Sequence, residues 1–135
     1  MSPWNPLRKK SSGEKETTGV DPADIKEPND HDSFMQRGWA YHSRGEQDKA
    51  EADFRRAVSY SPESVDANYA MGLVMKSQGK TQEAIELFEK TMDLILQGKI
   101  EHHSKSEMMR RLTLAHINEL KTGDWNLEDQ IWHQS

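Results

Sequence analysis

Between residues 31 and 97 apolar side chains recur three and four places apart, the spacing of helices that bury one face. The clearest run is Ala84, Ile85, Leu87, Phe88 and Met92, which follows Gly79. Sliding the chain by 34 residues pairs Gly38 with Gly72, Gly45 with Gly79, Ala50 with Ala84, Phe54 with Phe88 and Arg56 with Lys90. A repeat at one fixed period predicts stacked copies of a single unit, and here each copy reads as a helix hairpin. Gly38 and Gly72 carry no side chain where the two helices cross, and Ala50 and Ala84 face them with the smallest one. Phe54 and Phe88 then fill the remaining volume. Gly45 and Gly79 are placed to end the first helices in the left-handed conformation. Ser61-Pro62 predicts an N-cap and a first-turn proline for the next helix.

Past Leu96 the period breaks. Gln97-Gly98-Lys99 reads as a terminator, and Ser104-x-x-Glu107 as a capping box opening a helix over about 105–121. That helix carries Met108, Met109, Leu112, Ala115 and Leu120. Gly123 lies 44 rather than 34 residues after Gly79, so about ten residues are inserted. In that alignment His116 falls at the place of Gly72 and Glu128 at that of Ala84, which argues against a complete third hairpin. A capping helix followed by an irregular segment over 122–135 is expected. Leu127, Ile131 and Trp132 offer a short closing helix, and a buried His116–Glu128 ion pair is the functional alternative.

The repeated residues resemble the tetratricopeptide repeat family. The first copy, about 31–64, supplies Phe34, Gly38, Tyr41, Gly45, Ala50, Phe54, Ala57 and Pro62, and departs from the pattern with Arg37 at a large apolar place. The second, about 65–97, supplies Met71, Gly72, Met75, Gly79, Ala84 and Phe88, with Asn68, Thr91 and Leu96 replacing an aromatic, an alanine and a proline. The resemblance implies an all-α fold of antiparallel helix-hairpin repeats, an α-solenoid of two full repeats plus a capping helix.

Only 33% of the 135 residues are hydrophobic and 30% are charged, so part of the chain is expected to stay outside any core. Residues 1–28, with Pro3, Pro6, Gly13, Gly19, Pro22 and Pro28, read as a disordered tail, and residues 29–135 as the folded domain. Every repeat-forming residue lies after Pro28, so residues 31–121 are expected to fold without the tail. Trp4 and Leu7, followed by Arg8, Lys9 and Lys10, are the tail's one apolar and basic cluster, read as a solvated stretch or, alternatively, as a short docking motif or a weak membrane-surface contact. With 18 basic against 23 acidic residues the net charge is −5, which opposes binding to nucleic acid. No apolar run is long enough to span a membrane, and without cysteine there is no thiol chemistry. A cytoplasmic setting is expected.

Candidate chemistry is sparse. Glu101, His102, His103 and Glu107 form the densest group of metal-ligating types, but no second ligand pair stands at zinc-like spacing, so neither a metal nor a cofactor is expected. No phosphate-binding loop or nucleophile motif occurs. The expectation is a protein that is not an enzyme; a metal-dependent enzyme is the distant alternative.

The resemblance implies a concave groove on the first helices, lined by Met35, Trp39, His42, Tyr69, Leu73 and Lys76 and continued by Thr113, Ile117 and Leu120. The expected function is an interaction adaptor that binds a peptide or helix of a partner protein there. Trp39 and Tyr69 would be the anchors, with His42 and Lys76 on a rim favouring an acidic flank. Two other occupants are the tail and the Trp125–Trp132 segment. The family's clamp for acidic chaperone tails is absent, because Met35, Trp39 and Ala70 stand where it needs lysine and asparagine. A small dedicated chaperone that shields an apolar client segment is the second reading. With only two complete repeats, a second copy of the chain is a further way to cover apolar surface.

Overall fold

The computed structural model describes residues 20–123. They form a short 3-10 turn, Pro22–Asp24, and five helices: α1 (His31–Ser43), α2 (Gln47–Tyr60), α3 (Val65–Ser77), α4 (Thr81–Leu96) and α5 (His103–Thr122). No strand occurs among the described residues. Each helix packs on the next, α1 on α2, α2 on α3, α3 on α4 and α4 on α5, and α1 also touches α3. The all-α stack of helix hairpins is therefore present.

The crossings are as close as the small residues allow. A Cβ built on Gly38 would lie 2.5 Å from Cε1 of Phe54, and one on Gly72 2.7 Å from Cε1 of Phe88. Ala50, Ala84, Phe54 and Phe88 are fully buried in one core that runs through both repeats. A second, smaller core of Val65, Leu94, Ile95 and Met109 joins α3, α4 and α5. Gly45 and Gly79 hold φ of 78° and 77°, so the chain reverses just past α1 and α3 at the residues suited to it.

The helix starts differ from expectation. Ser61 ends α2 and Pro62 lies in the turn; the N-cap of α3 is Ser64, whose side chain accepts from the Ala67 N–H. The capping box Ser104–Glu107 does not form. Helix α5 begins at His103, which places Ser104 inside its first turn, and its N-cap His102 makes no side-chain cap bond. A capping box does stand at α1, where Asp30 and Ser33 satisfy each other's backbone.

Packed structure also begins before Pro28. Pro22 is buried, Asp21 pairs with Arg44 at 3.2 Å, and the Arg37 guanidinium donates to the carbonyls of Ile25 (3.0 Å) and Lys26 (3.2 Å). Residues 21–26 are thus a strap across α1. The expected irregular segment beyond Gly123, with the closing helix and the His116–Glu128 pair, lies outside the described residues.

Candidate functional site

Helices α1, α3 and α5 share one side of the stack, and at its end a cleft of about 400 Å³ opens between them. Met35, Trp39, Tyr69 and Met109 form its apolar lining, and His31, Asp32 and Asp66 stand at its polar side. The aromatic walls are fixed from behind. Trp39 meets Phe54 edge-on at 5.1 Å and Tyr69 meets Phe88 at 5.7 Å, so each ring leans on the phenylalanine that fills its own repeat.

The polar side is tied together by His31. Its Nδ1 lies 2.8 Å from Asp32 Oδ1 and its Nε2 2.9 Å from Ser64 Oγ, which links the start of α1 to the N-cap of α3. In the neutral ring Nδ1–H donates to the carboxylate and the serine hydroxyl donates to Nε2, leaving Oγ to accept from Ala67. Asp66 pairs with Lys105 at 3.2 Å, whereas the Asp32 side chain is 94% exposed.

The expected stripe divides. Met35, Trp39 and Tyr69 line the cleft; the others do not. Leu73, Ile117 and Leu120 are half-buried against the larger core. Thr113 is fully buried, so it lies beneath the surface instead of on it. His42 Nδ1–H donates to Gln47 Oε1, 2.9 Å away, and the ring meets Trp39 edge-on. Lys76 is ion-paired with Glu119 and donates to His116 Nδ1 at 3.0 Å. A cation already paired in this way does not supply the acidic-partner rim expected of it.

His116 occupies the interior between α3, α4 and α5. It stacks on Phe88 with centroids 4.9 Å apart and planes 7° from parallel, and its Nε2 lies 3.1 Å from the Tyr69 hydroxyl. An ammonium group has no lone pair, so Nδ1 must accept from Lys76, and Nε2–H donates to the tyrosine oxygen. Burial first, then the Lys76 charge, pushes the His116 pKa down to about 4, partly opposed by Glu119. Burial likewise raises the Tyr69 pKa.

Sequence reasoning missed Met109, His31, Asp32 and Asp66. The signal was there for two of them, because the same 34-residue slide pairs Asp32 with Asp66. Among the described residues no three His, Asp or Glu side chains converge to hold a metal, and no helix is long and apolar enough to cross a membrane.

Two family models agree with this geometry. Residues 38–79 match a model described as TPR repeat, and residues 66–94 one described as tetratricopeptide repeat. No curated protein matches the chain.

Proposed function

Because the chain is a tetratricopeptide-repeat protein, and such repeats generally mediate protein–protein interaction, we infer that it acts as a non-catalytic adaptor whose α1–α3–α5 face binds a segment of another protein. The observation that carries this reading is the cleft, where two aromatic rings and two methionines from three helices border one concave space. Aromatic and methionine side chains supply large contact area at low entropic cost, and their backing by Phe54 and Phe88 means little order remains to be imposed on binding. The partner then contributes an apolar side chain from an extended strand or one helix face.

The immobilised full chain provides the test, with retained proteins identified by mass spectrometry and their affinity measured against wild type, Trp39→Ala and Tyr69→Ala. Loss of about 2 kcal/mol or more is expected for each, against no change for Lys90→Ala, an exposed α4 residue that does not line the cleft. Melting curves of the free variants accompany the binding data, since both rings also touch the core. A well-folded Trp39→Ala that binds the retained partner as tightly as wild type sinks the proposal.

A further inference from the structure

The cleft joins two features that a single short segment can satisfy together: an apolar floor and an anionic edge. Asp32 and Asp66 occupy equivalent places in the first turns of α1 and α3, and both face the cleft that Met35, Trp39, Tyr69 and Met109 line. Asp66 is paired with Lys105, and Asp32 has only the neighbouring His31, so the edge retains negative charge at Asp32. With Lys76 held by Glu119, the opposite end of the stripe offers no matching cationic rim. The complementary ligand is therefore an apolar side chain followed by basic residues.

This chain contains such a segment: Trp4-Asn5-Pro6-Leu7-Arg8-Lys9-Lys10. We propose that it docks in the cleft of its own chain, with Leu7 or Trp4 against the Met35, Trp39, Tyr69 and Met109 floor and Arg8–Lys10 against Asp32. The tether permits it. Residue 21 is anchored beside Arg44 at the far end of α1, about 18 Å from Asp32 at 1.5 Å per helical residue. Residues 11–19 can span about 30 Å at roughly 3.3 Å each, so the basic cluster reaches the edge. An intramolecular segment also acts at an effective concentration of order millimolar, enough for weak individual contacts to hold it. The proposal rests on the same cleft as the adaptor reading and makes the segment a built-in competitor of the partner.

Limited trypsin digestion of the full chain tests it without any partner, so its outcome is separate from that of the binding experiment. Cleavage after Arg8, Lys9 and Lys10 is compared with cleavage after Lys15, an internal standard on the same tail. Docking protects the first three bonds, and Leu7→Ser should speed their cleavage about tenfold relative to Lys15. Asp32→Lys, at an exposed site where folding is little affected, should speed it about three- to fivefold. Equal relative rates in wild type, Leu7→Ser and Asp32→Lys overturn the proposal. Protection that grows with protein concentration overturns it too, since the segment would then be occupying a second copy.

Discussion

Where repeat two carries Met71 and Leu87, repeat one carries Arg37 and Asp53 at the equivalent places. Met71 is buried and Leu87 packs on the same core. Arg37 instead meets Asp53 in a two-pronged pair, Nε to Oδ2 and Nη2 to Oδ1, both at 2.8 Å, with Asp53 buried. The difference follows the neighbours. Repeat two lies between α2 and α5, so apolar side chains meet apolar side chains. Repeat one stands at the end of the array, and what covers it is the 21–26 strap, whose backbone presents carbonyl oxygens. A guanidinium has five donors in a fixed fork, enough to satisfy a carboxylate and two carbonyls at once, which methionine cannot do. The other departures are also compensated locally. Phe34 stacks on Tyr60, whereas Asn68 in its place donates to the carbonyls of Pro62 and Ser64 and so ties down the turn into α3. Thr91, replacing the alanine seen at Ala57, is fully buried with its hydroxyl donating to Leu87 O at 2.8 Å.

The comparison breaks hardest at Asp53. Asp53→Ala leaves a guanidinium that is four-fifths covered without its counter-charge, and should cost about 3–5 kcal/mol in urea unfolding. Installing repeat two's residues as Arg37→Met with Asp53→Leu should recover most of that loss, since an apolar pair of suitable volume removes the desolvation cost while the two bonds to the strap carbonyls are given up. A double variant as unstable as Asp53→Ala would show that the two repeats are not interchangeable at this place.

The glycines should make the repeats behave alike. Gly38→Ala and Gly72→Ala each push a methyl into a phenylalanine ring held by the core, and about 1–3 kcal/mol or somewhat more is expected from each. A loss confined to one repeat would mean that only one crossing is tightly packed.

What could be read from sequence follows the same division. Residues that act by being small or by repeating, such as Gly38, Gly72, Phe54 and Phe88, stand out when the chain is compared with itself. Compensating pairs do not: sliding by 34 compares Arg37 with Met71 and never with Asp53 or the carbonyls of residues 25 and 26. Ser61-Pro62 carried two cap signals side by side, yet the turn runs on through Glu63 before Ser64 caps α3. In the cleft, Met35, Trp39 and Tyr69 were legible as one face, but the fate of Lys76 depended on Glu119, which lies beyond the ten-residue insertion. Asp32 and Asp66 were hidden because acids in a first helical turn are ordinary.

The strap sharpens the comparison further. Deleting residues 1–28 removes both carbonyl partners of Arg37 and the Asp21–Arg44 pair, so it should cost about 1.5 kcal/mol in the wild-type background. In the Arg37→Met, Asp53→Leu background the same deletion should cost less, because the two Arg37 contacts among those it removes are already gone. Equal losses in the two backgrounds would show that the strap acts through Pro22 packing and not through Arg37.

A third occupant of the repeated place gives the one effect that depends on pH. Where the repeats have Gly38 and Gly72, α5 has His116, stacked on Phe88 and facing Lys76 through Nδ1. Its pKa falls from 6.5 to about 4 on folding, so between those values the unfolded chain takes up a proton that the folded one refuses. The stabilisation from the neutral ring is therefore fully present above pH 6.5 and is lost as pH drops toward 4, with a slope no steeper than ~1.4 kcal/mol per pH unit, the value for one proton. Carboxylates add their own dependence at the acid end, so the diagnostic window is pH 5 to 6.5, where few of them titrate. His116→Gln keeps a polar group near Lys76 and Tyr69 but cannot titrate, and its stability should be flatter than that of wild type across this window. An identical slope in the two proteins would place the titrating group elsewhere and remove His116 from the account.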